Sequence, residues 1–366
     1  MMERVAIIGI GVIGGSLALA WKERLPRLHI TGYDKPEILD QAIQRGIIDY
    51  KATSLVDAVC EVDSVFLAVP LESIMPVMNS IGPHLNPHTF VTDVGSVKKP
   101  VIDAAKSLLP DHTCFIGGHP MTGSEQSGLE GADAFLFENA FYILCPDGTE
   151  DTAHYSTLTA LVEGTGARVL SMDAQQHDRI VAYVSHLPQI IATALVNVAA
   201  DQNQSDPAIL ELAAGGFRDM TRIASSPFSM WASVLEYNRT DVDTALGTLI
   251  DSLDFIREQL REGADIQQLH PIFEKASSVR EEIPKDFKGF LRPLSDVFVY
   301  AKDEPGVLAH IAGALFSQGI SIKDIELLKI REGTGGAFRI SLENDHMADA
   351  AVTALNSHGC RAHRLQ

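Results

Sequence analysis

The sequence predicts an α/β protein built in three parts. A Rossmann-type, doubly wound and mostly parallel sheet comes first, an all-α helical domain follows, and a βαββαβ ferredoxin-like module closes the chain. Three observations predict it. A glycine-rich turn, Gly9-x-Gly11-x-x-Gly14, joins an apolar run to a helical one. Short apolar runs then alternate with helical patterns as far as the strand pattern Arg168–Ser171. From Ala174 the pattern is almost wholly helical until strand patterns return at Asp296. The expected boundaries are 1–167, 168–290 and 296–366, and 366 residues are too many for one ordinary core.

The first element is the continuous apolar strand Arg4–Ile8, and the helix after the glycines runs to about Arg24. A second strand, His29–Tyr33, ends at Asp34. This is the dinucleotide fingerprint in its required context. Gly9 permits the tight turn, Gly11 lets the backbone approach a pyrophosphate, and Gly14 lets the helix pack on the strand. The helix start, with Val12 and Ile13, offers N–H groups and a partial positive charge to phosphates. Asp34 stands where a carboxylate accepts from adenosine ribose hydroxyls, and it would repel a 2′-phosphate, so NAD is favoured over NADP. Lys35, beside it, could soften that repulsion. The glycines also interrupt the apolar run Val5–Trp21, which is therefore a strand-to-helix turn rather than a secretory leader. No other apolar stretch is expected to span a bilayer.

Alternation continues through strand Ser64–Val69, ending at Pro70, helix Leu71–Ile81, strand Phe90–Asp93, helix Pro100–Leu109 and strand Thr113–Ile116. Gly117–Gly128, crowded with glycines and a proline, reads as a tight loop holding His119 and Glu125. The strand ends at Val69-Pro70, Gly95-Ser96 and Gly118-His119 should share one edge, which brings Ser96 to His119. Ser96 can equally serve as an N-cap for a helix Val97–Leu109. Phe141–Cys145 and Arg168–Ser171 are late strands around the helix Tyr155–Glu163.

In the helical part, Asp173 is a candidate N-cap and Pro188 should kink its helix. His186 and Gln189, three residues apart, share a face; His186 is either a ligand group or a core histidine satisfied by a carbonyl. Arg222, near the pair Gly215-Gly216, is a candidate for bidentate carboxylate binding, whereas Arg218 more simply pairs with Asp219. Trp231 reads as core. The long amphipathic helix Thr240–Glu262 carries an apolar stripe with no second layer to cover it, which implies a homodimer. Pro284–Ser295 reads as a linker, and the turn before Val307 offers free N–H groups suited to an amino-acid carboxylate.

A net charge of −19 disfavours binding to nucleic acid or an anionic membrane, which would call for a basic patch. The four cysteines lie far apart, show no metal-ligand spacing and suggest reduced thiols in a cytoplasmic protein.

Together these residues resemble a family. The anchors are the glycine turn, Asp93-Val94-Gly95-Ser96-Val97-Lys98, Gly118-His119-Pro120-Met121-Thr122-Gly123-Ser124-Glu125, Ser185-His186-Leu187-Pro188 and Gly216-Phe217-Arg218-Asp219-Met220-Thr221-Arg222-Ile223. The chain resembles the prephenate dehydrogenases that carry a C-terminal ACT domain, over essentially its whole length. The resemblance implies NAD-dependent oxidative decarboxylation of prephenate to 4-hydroxyphenylpyruvate, within tyrosine biosynthesis. His119 would take the proton of the ring hydroxyl, Ser96 would orient His119 and touch that hydroxyl, Arg222 would grip a substrate carboxylate, and Glu125 would gate the site. Asp178, Trp231, His186 and Gln189 correspond to further site positions. Asp303-Glu304-Pro305-Gly306-Val307-Leu308, with Ile322 after the helix, looks like an ACT signature and implies feedback by tyrosine. One position departs from the family: Gln189 stands where a second histidine is common, so arogenate is the rival substrate. A β-hydroxy acid dehydrogenase would want a catalytic lysine in the helical part, where no convincing one is found. An NAD-responsive amino-acid sensor is the non-enzymatic alternative.

Overall fold

The computed structural model describes residues 4–123, 126–146, 148, 152–261, 263–282, 294–301, 305–331 and 335–364. Glu125 and Asp303 lie outside the described residues. The chain divides into two compact units, Met1–His270 and Pro271–Gln366.

In the first unit the strands are β1 (Arg4–Ile8), β2 (His29–Tyr33), β3 (Tyr50–Lys51), β4 (Ser64–Leu67), β5 (Phe90–Asp93), β6 (Phe115–Pro120), β7 (Phe141–Cys145) and β8 (Arg168–Ser171). They form one sheet in the order β3-β2-β1-β4-β5-β6-β7-β8. The helices among them are α1 (Val12–Arg24), α2 (Pro36–Gln44), α3 (Leu55–Val59), α4 (Leu71–Ile81), α5 (Lys99–Leu108) and α6 (Thr152–Glu163). β1 to β6 run parallel, as strands joined by helical crossovers must. Two apolar layers cover the sheet. Val65, Leu67 and Val91 face one, while Val5, Ile7 and Phe66 face the other. Buried on both faces, the central strands β1, β4 and β5 are mostly apolar, with Ser64, Thr92 and Asp93 the buried exceptions. Trp21 is fully buried yet keeps its indole donor satisfied by the Leu161 carbonyl at 2.8 Å.

One expectation fails here. Gly117–Pro120 is not loop but the upper half of β6, which pairs antiparallel with β7: Gly118 opposes Leu144 and His119 opposes Ile143. The lower half pairs with β5 through Phe115 and Ile116. Glycines and a proline weaken a strand locally, but β7 supplies the ladder from outside the segment. His119 therefore stands on a paired strand, a firmer mount than a turn. Ser96 likewise is not the expected cap, because α5 begins only at Lys99.

The helical part of this unit begins with α7 (Ala174–Val181), capped by the Asp173 carboxylate at the N–H groups of Gln175 and Gln176. A π-helical turn, Ala182–His186, leads directly into α8 (Leu187–Asn203). The expected irregularity at Pro188 is thus met by widening the turn before it, as π turns do where a ladder bond is missing. Ala174–Asn203 is long and apolar enough to cross a membrane by length and composition, contrary to expectation. Its first segment, however, turns Ala174, His177, Asp178 and Val181 into the protein. α9 (Ala208–Glu211), α10 (Gly215–Thr221), the short turn Arg222–Ser225, α11 (Phe228–Tyr237) and α12 (Arg239–Gln259) follow. α12 buries Val242 and Ala245 against Ala182 and Leu187. Farther along, Leu253 and Leu260 remain 53% and 62% exposed.

The second unit contains most of α13 (His270–Glu282), then β9 (Ser295–Ala301), α14 (Val307–Phe316), β10 (Asp324–Arg331), β11 (Gly335–Leu342), α15 (Asp345–Ser357) and β12 (Arg361–His363). The sheet order is β10-β11-β9-β12, all antiparallel, which is the βαββαβ arrangement expected. Val297, Val299, Ile340 and Leu342 bury one sheet face against Ile311, Leu315 and Leu355 of the helices. A strand is expected from Ser321, but β10 begins at Asp324, so Ile322 lies before the strand and packs partly on this core. Gly306 caps α14 at φ +91°, a conformation that favours glycine. Val307 is half-buried on the core, and Leu308 is 50% exposed.

Candidate active site

A cleft of about 610 Å³ opens at the carboxyl ends of the parallel strands, where an open α/β sheet binds its ligands. Gly11, Val12, Ile13, Val69, Pro70, Ser96 and His119 all line it, with Pro227, Met230 and Val234 from the helical part across from them. The sequence-based grouping of strand ends is therefore what the structure brings together. A second cleft, of about 580 Å³, lies at the amino ends of β5 and β6 and contains none of the expected site residues.

The glycine turn meets the demands of a pyrophosphate. Gly9 sits at φ +99°, and a side chain on Gly14 would stand 2.0 Å from the Gly9 carbonyl oxygen. A side chain on Gly11 would meet nothing within 4 Å. The backbone is thus bare on the cleft side and tight on the other. Gly11 caps α1 without a side-chain bond, and the first turn holds no acidic residue. Asp34 follows β2 and accepts from the Ile10 N–H at 2.7 Å, beside the turn. These groups fit a dinucleotide.

His119 is partly buried, and its Nδ1 lies 2.8 Å from His177 Nε2. Its ring partner is thus His177 rather than the expected Ser96. His177 Nδ1 in turn lies 2.7 Å from Asp178 Oδ1. The same Oδ1 accepts from the Lys98 N–H at 2.7 Å, and Oδ2 accepts from the Lys99 N–H at 2.8 Å. Asp178 is 2% exposed with both oxygens engaged, so it clamps α7 to the start of α5 rather than facing a ligand. Burial holds His119 well below the ordinary histidine value, with His177, Lys98 and His186 adding to the effect. Its imidazole is neutral at neutral pH.

Beneath this row, Lys98 is fully buried; its Nζ pairs with the buried Asp93 carboxylate and donates to the Gly118 carbonyl at 2.6 Å. Asp93 also accepts from the N–H groups of Gly95 and Gly118, at 2.8 and 3.2 Å. The turn carrying Ser96 and the strand carrying His119 are thereby locked together.

His186 is buried, with Nδ1 3.2 Å from Asn238 Nδ2 and its ring edge-on to Trp231 at 5.9 Å. Burial pushes it down to about 4, against the pull of Asp178. Trp231 Nε1 is buried with no hydrogen-bond partner among the described residues. Gln189 is buried next to Thr193. Arg222 stands apart from the cleft lining, exposed in a turn that packs on α8.

Residues 17–171 match the family profile of the prephenate dehydrogenase nucleotide-binding domain, and 173–275 match that of the prephenate dehydrogenase dimerization domain. Residues 295–360 match the ACT domain. The prephenate dehydrogenase of Bacillus subtilis is 37% identical over 347 residues, 94% of this chain and 93% of that protein. The chain belongs to the prephenate dehydrogenase family. Among solved structures, the Aquifex aeolicus prephenate dehydrogenase bound to hydroxyphenyl propionate and NAD+ superposes with a TM-score of 0.71 at 31% identity, covering 77% of this chain and 99% of that one. The Synechocystis arogenate dehydrogenase gives a TM-score of 0.67 at 29% identity, covering 76% and 99%. The family match begins at residue 17, past the glycine turn, so the cofactor argument rests independently on the geometry of residues 9–14.

His177 is the member of the site that the sequence did not single out. A signal was present: Ala174, His177, Asp178 and Val181 follow the i, i+3, i+4, i+7 spacing of a core-facing stripe.

Proposed function

We propose that the chain is an NAD-dependent prephenate dehydrogenase, which oxidatively decarboxylates prephenate to 4-hydroxyphenylpyruvate in tyrosine biosynthesis and is inhibited by tyrosine. The observation that carries this reading is His119, a neutral imidazole in the same cleft as the bare Gly11 turn. The cofactor would lie on Gly9, Gly11, Val12, Ile13 and Gly14, with Asp34 at the adenosine ribose and Val69 and Pro70 along its path. When bound, NAD supplies the hydride acceptor. His119 accepts the proton of the substrate's ring hydroxyl as that carbon is oxidised, and Ser96 touches the same hydroxyl. Loss of the ring carboxylate restores aromaticity, so alignment is the protein's main task. Arg222 holds a substrate carboxylate and Glu125 controls access. The orphaned Trp231 indole donor supports its assignment to the substrate pocket with His186 and Gln189. Asp178 is better read as holding the site's geometry, since its oxygens are occupied.

We divide the first unit functionally into a nucleotide domain, 1–167, and a helical substrate and dimerisation domain beginning at 168. The exposed apolar end of α12 supports a homodimer through that domain. Tyrosine is assigned to the ACT module at Pro305, Gly306, Val307, Leu308 and Ile322, with Asp303. A cytoplasmic location accords with four free cysteines.

Arogenate is the second reading, favoured by Gln189 in place of a histidine: a neutral amide can bond an ammonium-bearing side chain as readily as a keto acid. The β-hydroxy acid alternative loses ground because no lysine occurs between Lys106 and Lys275. The deciding experiment is NADH formation with prephenate and with arogenate, each with and without tyrosine. Faster turnover of arogenate at equal concentration would replace the first reading with the second, and no NADH from either would overturn both.

A further inference from the structure

The Asp178–His177 pair does more than fill space behind His119. Asp178 receives three donors: the backbone N–H groups of Lys98 and Lys99, and the His177 ring. A carboxylate already accepting two backbone N–H bonds offers His177 an acceptor and no proton. The ring N–H of a neutral His177 is therefore claimed at Nδ1, which leaves Nε2 as a lone pair. That lone pair lies 2.8 Å from His119 Nδ1. A hydrogen bond between two ring nitrogens needs one proton, and here only His119 can bring it. His119 Nδ1 then carries the hydrogen, and the bare nitrogen is Nε2.

We propose that His177, held by Asp178, is a positioning residue that fixes His119 in its Nδ1–H tautomer and so keeps Nε2 as the basic atom. This deepens the dehydrogenase reading and rests on it for its consequence in turnover. The free enzyme's tautomer, however, can be tested without that reading. No covalent step is added. The proton taken at Nε2 makes His119 an imidazolium, whose Nδ1–H donates more strongly to His177, and Asp178 stabilises the charge through the ring between them. The acceptor also has a fixed address: the carboxylate that orients His177 is bonded to the same turn that carries Ser96. Base and hydroxyl contact are thus indexed to one anchor.

The test uses full-length protein labelled with 15N in the histidine rings, with two-bond proton–nitrogen correlations assigned by single substitution. In the wild type, His119 is expected to show a protonated Nδ1 and a bare Nε2 near pH 7.5. Asp178→Ala removes the acceptor that claims the His177 Nδ1 proton, releases its tautomer, and is expected to let His119 take the Nε2–H form. Turnover should then fall by ~10²-fold or more, with KM for NAD within about threefold. His177→Gln, whose amide oxygen can accept from Nδ1–H, is expected to keep more activity than His177→Leu. If either substitution unfolds the chain, the wild-type tautomer and the ranking of Gln over Leu still decide the matter. An Nε2–H form of His119 in the wild type, or equal activity in the two His177 variants, would overturn the proposal. If the wild type oxidises neither prephenate nor arogenate, the functional reading fails while the tautomer measurement stands.

Discussion

Lys98 Nζ donates to the Gly118 carbonyl at 2.6 Å, one residue before His119 in β6, from a position with no solvent exposure. Its other partner, Asp93, is equally buried and holds the N–H groups of Gly95 and Gly118. One ion pair therefore sets the relative height of the Ser96 turn and the His119 strand.

Lys98→Met keeps the length of the side chain but strands a buried carboxylate. Breaking one partner of such a pair typically costs ~3–5 kcal/mol. A loss of that size in chemical denaturation is expected, along with lower turnover in whatever fraction stays folded. A loss under about 1 kcal/mol would show that Asp93 is satisfied without Lys98.

The neutral state of His119 carries a pH signature. Its value is depressed by burial first, with His177, Lys98 and His186 adding to the effect, so the base stays competent as pH falls through 6.5 and is lost only well below it. kcat/KM, which reports the free enzyme, is expected to be level from pH 8 to 6.5. An acid limb centred at or above 6.5 would contradict the burial described. His119→Asn removes the base, and turnover is expected to fall by ~10²–10⁴-fold with NAD binding retained.

Gly11 and Gly14 should part company on substitution. Gly11→Ala meets nothing within 4 Å, so the fold is expected to be indifferent, within about 0.5 kcal/mol. The methyl would instead stand where the pyrophosphate comes, and KM for NAD should rise by about tenfold or more. Gly14→Ala places its methyl 2.0 Å from the Gly9 oxygen and should destabilise the protein by ~1–3 kcal/mol or more. Melting curves beside NAD titrations separate the two effects.

His186 couples folding to acid. Its folded value is about 4, against an ordinary ~6.5 when unfolded. Between those limits the unfolded chain binds the extra proton, so stability rises with pH across the window. The contribution is complete above pH 6.5 and is lost as pH falls toward 4, for a total of up to ~3 kcal/mol. His186→Gln is expected to flatten the slope of unfolding free energy between pH 4 and 6.5. An unchanged slope would mean that His186 is not buried as a neutral ring.

Much of this site was legible in the residues. The glycine turn, Asp34 and the convergence of Ser96 with His119 follow from strand ends that must share an edge. The rest depends on contacts that local pattern does not carry. Gly117–Pro120 has the composition of a turn, and only β7, contributed by Phe141–Cys145, makes it a strand. His177 and Asp178 fall on the core-facing stripe of their helix, but their polar side chains do not by themselves show what they meet there. They are buried because α7 docks with those two residues inward and the start of α5 supplies the donors. Asp178 was expected at the site from the resemblance alone, but backbone amides and His177 engage both of its oxygens. The pairing of Lys98 with Gly118 crosses between neighbouring strand ends and has no local spacing.

The half-and-half pairing of β6 also bears on how the chain matures during synthesis. Its first residues can dock on β5 as soon as they emerge, but Gly117–Pro120 have no strand partner for their ladder until Phe141–Cys145 has been made. His177 arrives later still, 58 residues after His119. Domains acquire structure in the order in which they leave the ribosome. A nascent chain is therefore expected to hold its nucleotide turn before it owns a positioned base: it could bind cofactor while still unable to turn over.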